Sequence, residues 1–237
     1  MVGRINQKTE IRRRAIGNSI FLYNNLHENF QAPMSYGEIN EPPSKQMIKL
    51  SRRIPQGGLV LDAGCGCGIE AFGFHKMGFS VIGIDLSVNS LRFGIKNLPA
   101  ITSKLAIMDT TALAFPSGAF DAVWCRSVFL HLPPKLAGRA IGEFARVLKD
   151  NGTLFLWTMS GTPDGQIECE EEYRIDGYYM GMQYVKTYSA REMRPLLSSK
   201  GFTRIDMYDE TNHEREGYIW LNVWARKKTM PSKRSIS

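Results

Sequence analysis

LVLDAGCGCGIEAFGFHKMGFSVIGIDLS, residues 59–87, holds two short apolar runs, 59–64 and 80–85. Each run meets an aspartate, Asp62 in the first and Asp85 at the end of the second. Between them lie glycines at 64, 66 and 68 and a segment long enough for a short helix. A strand, a glycine loop, a helix and a second strand in that order make one unit of a parallel sheet. The pattern continues downstream. LAIMD (105–109), FDAVWC (120–125) and GTLFLW (152–157) are further short apolar runs. Ahead of the last one, Leu136, Ala140, Ile141, Phe144 and Leu148 recur at helical spacing. Strands buried on both faces and alternating with amphipathic helices predict a doubly wound α/β sheet with helices on both faces. Such sheets bind ligands beyond the carboxyl ends of their strands.

Outside this core the pattern changes. Residues 159–188 form a polar insertion with tyrosines at 173, 178, 179, 184 and 188. It also carries six acids against Arg174 and Lys186, and is expected to act as a lid. Ser189 and Glu192 then spell a capping box ahead of Met193, Leu196 and Leu197, with Gly201 suited to the helix end. FTRIDMYDE (202–210) and YIWLNVWAR (218–226) predict a closing strand pair, so the last strand is antiparallel in a mostly parallel sheet. Residues 1–57, helix-like but broken by Pro33, Pro42, Pro43 and Pro55, are expected to form an N-terminal helical cap. The main domain is expected over 58–228 and a basic flexible tail over 229–237.

Composition limits the function classes. The 237 residues are 43% hydrophobic and 22% charged, which excludes disordered, collagen-like and long coiled-coil chains. The net charge of +7 suggests nucleic acid until it is located. Residues 1–14 and 226–237 together carry ten Lys and Arg against one Glu, leaving 20 basic and 22 acidic residues elsewhere. Basicity belongs to the ends, so nucleic acid is an unfavoured partner. No apolar run is long enough to cross a bilayer, and four cysteines (65, 67, 125, 169) are too few for a disulfide scaffold. A cytoplasmic location is expected. Cys65 and Cys67 lack a matching Cys/His cluster, so no metal is expected.

Asp62-Ala63-Gly64-Cys65-Gly66-Cys67-Gly68 carries the strongest chemical signal. Glycines let backbone approach a ligand closely, and the following helix start offers unpaired N–H groups. An acid at the end of the second strand, Asp85, suits ribose hydroxyls. Two readings compete. From Gly66 to Ala71 the run fits the dinucleotide pattern G-x-G-x-x-A, but this leaves Asp62 and Gly64 unexplained. Taking Asp62 with all three glycines, the chain resembles the Rossmann-like (class I) S-adenosylmethionine-dependent methyltransferases, in particular the bacterial type 11 small methyltransferases. Phe120-Asp121-Ala122-Val123, ARVLKDNGTLFL (145–156) and the closing WLNVWARKK extend the resemblance.

The resemblance implies S-adenosyl-L-methionine as cofactor and a methyl acceptor as substrate. It places Asp62, Gly64, Gly66 and Gly68 around the cofactor and Asp85, beside Leu86, on the ribose. Asp109 falls near the adenine, with Thr110 and Thr111 replacing a common acid. Residues 125–131 fall beside the transferring methyl, with Arg126 and Thr110 counted among the cofactor-binding residues, and His131 is the candidate base. Asp121, at a strand start, reads as structural. Tyr36, Tyr178, Tyr179 and Tyr184 are candidates for the acceptor side. The acids of the insertion favour a neutral or cationic small molecule, accepting the methyl at oxygen or nitrogen. The alternatives are an RNA or protein methyltransferase using the basic ends, or a cofactor-binding protein without catalysis. Oligomeric state is not legible.

Overall fold

The computed structural model describes Gly17, Asn18, Phe21, Asn24 and residues 41–162, 165–175, 178–211 and 218–229. Numbered along residues 41–229, the elements begin with α1 (Lys45–Ser51), β1 (Leu59–Ala63), α2 (Ile69–Lys76), β2 (Ser80–Asp85) and α3 (Val88–Asn97). They continue through β3 (Leu105–Ile107), β4 (Phe120–Arg126), α4 (Pro134–Val147) and β5 (Leu148–Gly161). After the hairpin β6 (Glu168–Ile175) and β7 (Tyr178–Lys186) come α5 (Ala190–Ser199), β8 (Phe202–Thr211) and β9 (Ile219–Lys227). Seven strands make one sheet in the order β3-β2-β1-β4-β5-β9-β8. Neighbouring strands from β1 to β5 pair parallel, and β9 runs antiparallel to both β5 and β8. The expected α/β architecture, antiparallel last strand included, is the observed one.

Alternation along the strands builds two cores. Leu61, Val123, Leu154, Leu156 and Val223 face Ala140, Phe144 and Leu197 of α4 and α5. Val60, Trp124, Phe155, Trp157 and Trp224 face the other way, onto Met47 and Leu50 of α1 and Phe74 of α2. Thus the helix that ends the expected cap over 1–57 packs into the sheet's own core, where Met47 and Leu50 are buried. Lys49 and Arg53 also lie over the Trp224 ring, at 4.6 and 4.8 Å. Residues 1–16 and 230–237, which hold most of the basic ends, lie outside the described residues.

One boundary differs from expectation. Leu148 was assigned to the α4 stripe, but α4 ends at Val147 and Leu148 opens β5 against Phe120. An apolar residue four after Phe144 satisfies the helical period, and its strand position buries it equally well. The capping box at Ser189 and Glu192 forms as read. Among the described residues no helix is long and apolar enough to cross a membrane.

Candidate functional site

The sheet order reverses between β1 and β4, and the loops leaving β1 to β4 enclose a cavity there. Gly64 and Gly66 line it from the first loop, and Asp85, Leu86 and Ser87 from the second. Met108, Asp109 and Thr110 line it from the third, and Arg126, Ser127, Val128, His131 and Leu132 from the fourth. Four sequence-distant segments converge at the switch point where such sheets take ligands.

The glycine loop needs its glycines for two different reasons. Gly64 has φ +82°, and a Cβ there would stand 2.0 Å from a Val128 methyl. Gly66, at φ +54°, would send a Cβ into open space, so a ligand can approach its backbone. Asp85 holds the loop in shape. Its two carboxylate oxygens accept the N–H groups of Gly66 and Ser87, each at 2.8 Å. Burial pushes its carboxyl above the usual range, against the pull of those N–H groups. The Leu86 N–H also favours the charged form, and a carboxylate's four acceptor positions still leave room for a further donor. The Asp85 neighbour Ser87 caps α3 and donates to the Asn24 side chain at 2.9 Å.

Asp62 is unlike its neighbours. It is 1% exposed, and its Oδ2 has no hydrogen-bond partner. Burial first, then Glu70 and Asp85, raise its carboxyl well above the ordinary value. A buried carboxylate with an orphaned oxygen is costly without a cation or donor to meet it. This fits a cofactor bearing positive charge. Asp109 Oδ1 accepts the Thr111 N–H at 2.7 Å, so its side chain shapes its own turn as well as lining the cavity.

The loop after β4 carries backbone strain. Ser127 has φ +57°, unusual for a residue with a Cβ. His131, buried, makes a 3.0 Å hydrogen bond from Nδ1 to the Tyr184 carbonyl. A carbonyl oxygen only accepts, so Nδ1 carries the proton. Tyr184 itself is 3% exposed and does not line the cavity, and its hydroxyl donates to Glu168 at 2.8 Å. Burial is the main cause that raises this phenol. Tyr184 therefore meets the site through its backbone. Of Tyr178 and Tyr179, at the start of β7, only the backbone is described. Tyr36 lies outside the described residues.

Sequence reasoning missed Glu70. Its Oε1 accepts from Arg126 at 2.7 Å and its Oε2 from the Trp124 indole at 3.1 Å. An acid in the first helical turn reads as ordinary dipole compensation. Its place directly after the glycine loop was the available signal. Asp121, by contrast, accepts the Leu59 N–H and pairs with Lys149, the structural role expected of it.

Residues 61–156 match the protein family described as a methyltransferase domain. That segment is similar to a methyltransferase domain. A 2-methyl-6-phytyl-1,4-hydroquinone methyltransferase of Synechocystis sp. is 35% identical over 116 residues, 48% of this chain and 36% of that protein. The match thus spans about a third of that relative's length. A 1,6-didemethyltoxoflavin-N1-methyltransferase of Burkholderia thailandensis, solved with 1,6-didemethyltoxoflavin and S-adenosylhomocysteine, superposes over 97% of this chain and 94% of its own. Its TM-score is 0.64 at 16% identity. The [4+2]-cyclase SpnF superposes over 91% of this chain and 96% of its own, with a TM-score of 0.63 at 18% identity. At these identities the likeness is one of fold. The glycine loop and Asp85 fall inside the matched segment, as does His131.

Proposed function

We propose that this chain transfers a methyl group from S-adenosyl-L-methionine to oxygen or nitrogen of a small molecule. The observation that carries this reading is Asp62, a buried carboxylate with an orphaned oxygen beside an open glycine loop. Such a group suits the cofactor's cationic amino-acid end, and Asp85 suits its ribose. Leu86, Asp109 and Thr110 sit where they would flank the adenine. When bound, the cofactor supplies a methyl already activated by its sulfonium.

The chain's own task is alignment and exclusion of water. His131 has the geometry of a base for an acceptor that must lose a proton, because the Tyr184 carbonyl fixes its tautomer. The hydroquinone and toxoflavin relatives support a small-molecule acceptor, since both are named for small-ring substrates. The cyclase sharing the fold makes turnover, not folding, the decisive observation. The purified chain with methyl-labelled cofactor is tested against phenols, aromatic acids and amines. We expect label in one class. Cofactor binding without transfer to any class, or to fractionated cell extract, contradicts the reading.

A further inference from the structure

We propose that Arg126 is the docking point for a negatively charged group of the methyl acceptor, which is a flat molecule bearing a carboxylate or similar oxyanion. This deepens the methyl-transfer reading and rests on it. Charge along the cavity is polarised. The end of β2 and the loop after β3 supply Asp85 and Asp109, whereas the end of β4 supplies Arg126. Among the described residues the acids of the hairpin do not change this balance. Glu168 is taken by the Tyr184 hydroxyl and by Lys186, and neither Glu168, Glu170 nor Glu172 lines the cavity. The insertion's described acids therefore do not decide the acceptor's charge, and the cavity wall itself offers Asp85 and Asp109 at one side and Arg126 at the other.

Arg126 is held ready for an anion. Its Nη1 donates to Glu70 at 2.7 Å, and its guanidinium lies 4.5 Å over the Trp157 ring. Trp157 in turn stacks on Trp220, with centroids 3.8 Å apart and planes 7° from parallel. One edge and one face are thus fixed, while the side chain stays 43% exposed. The bond to Glu70 uses one of the five N–H donors, leaving donors for a carboxylate. The guanidinium face turned away from Trp157 suits a flat ring. A guanidinium whose rotamer is already fixed loses little further entropy when it binds.

The cofactor's amino-acid carboxylate has the same chemistry, so the test separates the two sources. The full chain saturated with S-adenosylhomocysteine is titrated with 4-hydroxybenzoate, phenol and tyramine, by calorimetry and by tryptophan emission. We expect 4-hydroxybenzoate to bind at least about tenfold tighter than the other two. Arg126→Ala should erase that preference, and Arg126→Lys should keep part of it, with 4-hydroxybenzoate affinity falling more than S-adenosylhomocysteine affinity in both. No preference among the probes, binding by none included, overturns the proposal. So does an Arg126→Ala protein that binds S-adenosylhomocysteine about tenfold more weakly yet keeps its affinity for 5′-methylthioadenosine. That result would give Arg126 to the cofactor's carboxylate. If the wild-type chain binds no S-adenosylhomocysteine, the methyl-transfer reading itself fails.

Discussion

Asp62 and Asp121 lie on the neighbouring strands β1 and β4, at opposite ends of the sheet, and they do opposite things. At the amino end Asp121 is fully engaged, with the Leu59 N–H on one oxygen and Lys149 on both. At the carboxyl end Asp62 is buried with one oxygen unmet. The backbone differs in the same sense. Near the cavity Gly64, Gly66, Gly68 and Ser127 all hold positive φ. Of these two acids, the one at the amino end is closed by its neighbours, and the one at the carboxyl end keeps an unmet oxygen behind the glycine loop without itself lining the cavity. A polar group left unmet in a buried site marks function more surely than its residue type does.

The sharpest way to break this contrast is at the glycine loop. Gly64→Ala would drive a methyl to 2.0 Å from Val128 at φ +82°. Overpacking costs roughly 1–3 kcal/mol, and the strained backbone about 1 kcal/mol more. We expect a large fall in melting temperature, whereas Gly66→Ala, which meets no atom, carries only the backbone strain of φ +54°, falls less and loses cofactor affinity. Equal melting temperatures for the two would contradict the account.

A smaller loss is expected at the amino end. Asp121→Ala strands the Leu59 N–H and the Lys149 ammonium, at a cost of about 1–3 kcal/mol. For a chain of this length that is roughly 2–4 °C per kcal/mol. Cofactor affinity should not change, and calorimetry beside a thermal melt checks both halves.

The smallest effect has the opposite sign. Burial raises Asp62 above its ordinary value of 3.8, so the folded chain holds that proton more tightly than the unfolded chain. Stability from this group therefore falls as pH rises through the window above 3.8, and the penalty is largest once the carboxyl is ionised. Asp62→Asn should melt higher than wild type at neutral pH, with the gap closing as pH falls towards 3.8. Melts across pH that show a constant gap, or a less stable variant at neutral pH, would remove Asp62 from the contrast.

The carboxyl-end cavity was legible in part: Gly64, Gly66, Asp85, Leu86, Asp109, Thr110, Arg126 and His131 line it, whereas Asp62 and Gly68 lie behind its wall. Asp62, the three glycines and Asp85 announce themselves, and β2 begins and ends where its apolar run does. Leu148 misled because one residue satisfied two periods. The Tyr184 contact to His131 was hidden for a different reason. A backbone carbonyl has no sequence signature, so only the docking of β7 beside the Phe129–His131 turn reveals it. Asp109 read as a cofactor residue, and the structure adds the turn-forming bond to Thr111 that its residue type also favours.

The central claim is that the carboxyl-end cavity binds S-adenosyl-L-methionine with its ribose on Asp85. Calorimetric titration of S-adenosyl-L-methionine into wild type and Asp85→Ala tests it most directly. Removing a charge-assisted acceptor should cost about 1.5–3 kcal/mol, roughly ten- to a hundredfold in affinity. Undiminished binding by Asp85→Ala would contradict the placement of the ribose. Tight NADH binding with no heat from S-adenosyl-L-methionine would contradict the cofactor itself and restore the dinucleotide reading of Gly66 to Ala71.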